Sequence, residues 1–117
     1  MQEALQQAQQ SEAQTTPIYS EFGGDEDLGE LVEMYVDEMP GRIQAMVETL
    51  AAKDWEGLAR LAHQLKGASG SYGFMPISQV AAQLENALKK NSEPEEIDRF
   101  FQQTINVCQR AKAGTPN

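Results

Sequence analysis

From Asp25 to the end of the chain, apolar residues return every three or four positions, and no useful length alternates with period two. That rhythm constrains the fold more than any other feature, because it suits one face of an α-helix and cannot line one face of a strand. Leu28, Leu31, Val32, Tyr35, Val36 and Met39 make the first stripe, at i, i+3, i+4, i+7, i+8 and i+11. Ile43, Met46, Val47 and Leu50 make the next. Leu58, Leu61, Ala62, Leu65, Ala68, Ser69 and Tyr72 follow, then Ile77, Val80, Ala81, Leu84 and Leu88. Ile97, Phe100, Phe101, Thr104, Ile105 and Cys108 close the series.

The residues between the stripes set the boundaries. Pro40-Gly41 is predicted to break or kink the first helix, with Pro40 in the first turn of the second. Asp54 reads as the N-cap of a helix beginning at Trp55, and Gly73 fits the position just past its end. Pro76 opens the following helix. Ser92-Glu93-Pro94-Glu95 has the capping-box pattern, with Ser92 as N-cap and Glu95 three residues on. Consecutive amphipathic helices on short connections predict an all-α, up-and-down bundle over residues 18–113. "IYSEF" (18–22) is expected to fold over one end of it. Residues 1–17 are rich in Gln and Ala and read as a tail or frayed helix, and 114–117 as a C-terminal tail.

A chain of 117 residues forms one domain. Nine basic against 18 acidic residues leave a formal net charge of −9, which repels nucleic-acid phosphates and anionic lipid. No apolar run approaches the roughly 18 residues a membrane span needs, and "MQEALQQAQQ" has no signal-peptide pattern. Cys108 is the only cysteine and His63 the only histidine, too few soft ligands for zinc. A cytoplasmic protein without a metal or cofactor of its own is expected. A monomer is expected too, since one histidine face needs no second copy.

The stretch "LARLAHQLKGASGSYGF" (58–74) carries that histidine among three glycines. At about 100° per residue, His63 projects roughly 160° from the centre of the apolar stripe, toward solvent. Gly67 and Gly70, at i+4 and i+7, are predicted beside it on the same face, with Ala59 at i−4; Arg60 and Lys66 flank it at i−3 and i+3. Each glycine costs roughly 0.5–1 kcal/mol relative to Ala inside a helix. A clearing of small residues around one exposed imidazole lets a large partner reach the ring. A neutral imidazole, with an ordinary pKa of about 6.5, is a nucleophile near neutral pH. "GxxGxxG" at 67–73 follows no strand and lacks the Lys-Ser/Thr of a nucleotide-binding loop, so the chain is not expected to be a kinase.

"HQLKGASGSYG" resembles the His-x-x-Lys-Gly signature of histidine-containing phosphotransfer (HPt) domains, and the similarity runs over about residues 25 to 110. The resemblance implies a four-helix bundle with an additional N-terminal helical segment, acting as a phosphorelay intermediate in two-component signal transduction. His63 would accept a phosphoryl group from a receiver-domain aspartate and pass it to another receiver. Lys66 would lie beside the phosphoryl oxygens, Gly67 would keep the face open, and Glu85 would hydrogen-bond the second imidazole nitrogen. Ala59, Arg60, Gly67 and Gly70 would meet the partner. Response-regulator receiver domains and a hybrid sensor histidine kinase are the implied partners, and the receiver would bring the Mg²⁺. The alternative is a docking module of the same fold that binds receivers without phosphotransfer.

Overall fold

The computed structural model describes residues 16–116. Four helices carry the chain: α1 (Gly29–Ala51), α2 (Trp55–Ser71), α3 (Met75–Lys89) and α4 (Pro94–Gln109). Two short strands, β1 (Ile18–Tyr19) and β2 (Ala111–Lys112), bracket them. The stripes meet in one core: Val32, Tyr35, Met39 and Met46 from α1, Leu58, Ala62 and Leu65 from α2, Ile77, Ala81 and Leu84 from α3, Ile97, Phe101 and Cys108 from α4. The four-helix bundle is therefore as expected. The tail or frayed helix expected at residues 1–17 lies almost wholly outside the described residues. Ahead of α1, residues 16–28 form β1 and turns rather than an additional helix.

Two boundaries differ from expectation. The helix does not break at Pro40; α1 runs unbroken for 23 residues with Pro40 inside it. Proline cannot donate to the Val36 carbonyl, a loss that with ring crowding costs roughly 3 kcal/mol. Packing overrides it, because Val32, Tyr35, Met39 and Met46 share one face only if the helix continues, and all four are buried. Nor does Ser92 cap α4: Glu93 is the N-cap, and it makes no side-chain capping bond. A residue before proline is pushed out of the helical region. Glu93, at φ −59° and ψ 147°, takes that extended conformation, and the helix starts at Pro94. Asp54 does cap α2, its carboxylate accepting from Gly57 N at 3.0 Å.

The two strands were invisible to periodicity, being two residues each. They pair in parallel, Ile18 with Ala111 and Tyr19 with Lys112, and Ile18 N donates to Arg110 O at 2.7 Å. The "IYSEF" segment then closes over the α2–α3 turn. Ser20 Oγ donates to Tyr72 O, Glu21 N donates to Gly73 O at 3.1 Å, and Phe22 packs on the core. Gly73 has φ +81°, and a Cβ there would lie 2.7 Å from Ser20 Oγ, so this turn admits only glycine without strain. On the other side of the turn, Tyr35 stacks on Phe74 with centroids 4.8 Å apart and shares a 2.5 Å hydrogen bond with Ser69. Burial pushes the Tyr35 hydroxyl up to about 12. These contacts lock the C-terminal end of α2 and the start of α3, and so fix the relative rotation of the two helices that carry the site.

Candidate functional site

Helix α2 packs more extensively against α3 than any other pair in the bundle. His63 stands on the exposed face of α2 where it borders α3, with 64% of its side chain exposed. Its Nδ1 lies 2.8 Å from Glu85 Oε2. The Glu85 side chain is only 6% exposed, and Lys66 Nζ lies 2.9 Å from its Oε1. Lys89 Nζ lies 3.0 Å from the Oε2 that His63 also meets. Three side chains from two helices thus share one carboxylate.

The charges settle the tautomer. The Lys66 ammonium, aided by Lys89 and His63 and opposed by burial, holds the Glu85 carboxyl at about 2, well below its ordinary value. An ionised carboxylate can only accept, so Nδ1 carries the proton and donates it. In the neutral ring, Nε2 then holds the lone pair, on the side away from Glu85.

The other expected residues separate. Gly67, one turn past His63, has nothing within 4 Å of where a Cβ would stand, so the face there is open. Gly70 does not belong to that clearing: a Cβ would sit 3.5 Å from Ser78 Oγ, and Ser78 Oγ donates to the Lys66 carbonyl at 3.0 Å. Gly70 lies at the seam where α3 comes in against α2, because the exposed face of α2 is bordered by α3 and the two helices stay in contact past His63. Ala59 is half-buried and packs against the core. Arg60 is exposed and enters no ion pair among the described residues. Lys66 rests on Glu85 rather than pointing free into solvent.

Sequence reasoning missed Lys89. The signal was present in the Glu85-Asn86-Ala87-Leu88-Lys89 spacing, since a glutamate four residues before a lysine pairs on one helix face. Glu85 itself came only from the family resemblance. It lies eight residues past Ile77, a position the buried stripe of α3 would give to an apolar residue, and the cations around it explain how a carboxylate occupies it.

This is an all-helical bundle that presents a tethered imidazole on an open surface rather than enclosing a substrate. Comparison with known proteins gives that class its name: the chain belongs to the Hpt domain family, matching it over residues 30–114. It is 30% identical over 99 residues to the phosphotransferase RcsD of Escherichia coli K12, covering 80% of this chain and 11% of RcsD. It is 28% identical over 68 residues to the aerobic respiration control sensor protein ArcB of the same organism, covering 58% of this chain and 9% of ArcB. The phosphorelay intermediate protein rdeA of Dictyostelium discoideum is 30% identical over 83 residues, covering 71% of this chain and 32% of rdeA. The chain therefore spans about a tenth of the first two relatives and about a third of the third. No solved structure matches it significantly. Among the described residues, no helix is long and apolar enough to cross a membrane.

Proposed function

We propose that this chain is a phosphorelay intermediate of two-component signal transduction, with His63 as the phosphoacceptor. The observation that carries the reading is the 2.8 Å contact from His63 Nδ1 to an ionised, buried Glu85, which leaves Nε2 outward with its lone pair. Nε2 attacks phosphorus of a receiver's aspartyl phosphate. The N–P bond forms as the P–O bond breaks, and the aspartate leaves as carboxylate with the electron pair. The ring, having kept its Nδ1 proton, becomes a phosphoimidazolium, and Glu85 offsets that positive charge much as a buried carboxylate does for a catalytic imidazole elsewhere. Transfer to a second receiver's aspartate runs the same step in reverse.

Phosphoryl transfer depends mainly on positioning and charge. Lys66, three residues from His63, is the cation that turns toward the phosphoryl oxygens, while receiver partners contribute aspartate and Mg²⁺. Lys66 and Arg60 make a basic spot on a chain of formal net charge −9, complementary to a receiver's acidic pocket. The chain carries phosphate without a kinase site of its own and works in the cytoplasm, taking phosphate from a hybrid sensor kinase's receiver. RcsD and rdeA, by their names a phosphotransferase and a phosphorelay intermediate, support this reading.

The test is incubation with a phosphorylated receiver domain and Mg²⁺. The expected product is an acid-labile, alkali-stable label on the peptide containing His63. Receiver binding without any label, across a broad panel of active receivers, would establish a docking module instead. Gly67 offers a second check. Gly67→Gln should leave the bundle folded, and even raise its stability by up to about 1 kcal/mol through better helix propensity. Since the glycine's missing Cβ faces open space, the new side chain projects where the partner must approach, and label uptake should fall at least tenfold. Uptake at the native rate would mean the partner does not cross that face.

A further inference from the structure

Glu85 has more positive charge around it than one carboxylate needs. Lys66 holds Oε1 at 2.9 Å and Lys89 holds Oε2 at 3.0 Å, and neither lysine enters another ion pair among the described residues. His63 and Lys66 from α2 and Lys89 from α3 are the charged or titratable groups facing this carboxylate. The two lysines are not equivalent. Lys66 lies three residues from His63 on the same helix, one turn along the same face. Lys89 is the last residue of α3, one turn past Glu85, where the exposed carbonyls of a helix end also favour a cation. It meets the ring only through the oxygen they share.

Resting on the reading of His63 as phosphoacceptor, we infer that Lys89 is a positioning residue: the counter-charge that stays on Glu85 when Lys66 leaves Oε1 for the phosphoryl oxygens. The need follows from burial. A carboxylate almost wholly out of water stays ionised only while it keeps a cation. If Lys66 were its sole partner, each arriving phosphoryl group would draw that cation away. Glu85 would then take up a proton, and a neutral acid carries no charge to offset the ring when it turns positive. With Lys89 on the oxygen that accepts from Nδ1, the tether survives the move. One lysine travels with the cargo and the other keeps the ring in register.

The inference predicts redundancy at rest and dependence during transfer. In unphosphorylated protein, ¹⁵N spectra of His63 should show the Nδ1–H form in the native chain, in Lys66→Met and in Lys89→Met, and its loss in Lys66→Met/Lys89→Met. Phosphoryl uptake from a phosphorylated receiver should fall about tenfold in Lys89→Met despite an unchanged melting temperature, and Lys89→Arg should restore it. A Lys89→Met chain that takes up label at the native rate, or a double variant with the native tautomer, overturns the inference while the functional reading stands. A native chain that takes no label in the same assay overturns both.

Discussion

Changing His63 to Gln is expected to abolish phosphoryl uptake completely while leaving the bundle intact. Stability should hardly move, because the side chain is 64% exposed and its recorded polar contact is the one to Glu85. Glutamine is at least as good a helix former, and its amide can still donate to that carboxylate. A shift within roughly 1 kcal/mol by thermal or urea unfolding is the expected result, as for other surface substitutions. Chemistry is another matter, since the lone pair of an amide nitrogen is delocalised into its carbonyl and does not attack phosphorus. No second histidine exists to take over. Label should therefore drop to background while binding to the unphosphorylated receiver persists. Acid-labile label remaining on His63→Gln would place the acceptor elsewhere and remove the basis of the proposed relay.

How much of this was legible beforehand depended on the range of the interaction. The four helices follow from short-range rhythm, and the caps at Asp54 and Gly73 are decided within a few residues. The failures at Pro40 and Ser92 have opposite origins. At Pro40 a local helix breaker was overruled by a stripe continuing from Val32 to Met46, which only the packed core makes decisive. At Ser92 an even more local rule prevailed, the effect of Pro94 on the residue before it. The β1–β2 pair joins segments more than ninety residues apart through a few backbone bonds, and no pattern within either announces it.

The site divided the same way. A helical wheel places His63, Lys66 and Gly67 together, but treats a helix as if alone. It put Gly70 in the clearing with Gly67, although Ser78 of the neighbouring helix fills that side. It could not reveal that Lys66 rests on Glu85, nor that Lys89 reaches the same carboxylate from the next helix. Those facts depend on the relative rotation of α2 and α3, which the Gly73 turn and the Ser20, Tyr35 and Ser69 contacts fix.

Glu85→Leu is expected to separate the contribution of that carboxylate to stability from its contribution to transfer. The folded chain holds this carboxyl at about 2, below its ordinary 4.5, so the unfolded chain binds the proton more readily. The sign follows: the ion cluster's contribution is fully present above about pH 4.5 and is lost as pH falls toward 2. Its size is at most about 3 kcal/mol, and smaller where water screens the exposed Lys89 arm. Unfolding measured at pH 7 and pH 3 should show more than half of that loss in the native chain and none of it in Glu85→Leu. At pH 7 the variant itself should lose little, since an apolar side chain suits a position as buried as the neighbouring Leu84 and Leu88 of α3. Transfer should fall on the order of a hundredfold, because the ring would lose both its fixed tautomer and the charge that offsets phosphoimidazolium. Glu85→Gln, whose amide oxygen still accepts from Nδ1–H, should recover part of the rate and none of the pH dependence. Native transfer by Glu85→Leu would remove the carboxylate from the mechanism, and with it any reason for burying a charge beneath the histidine.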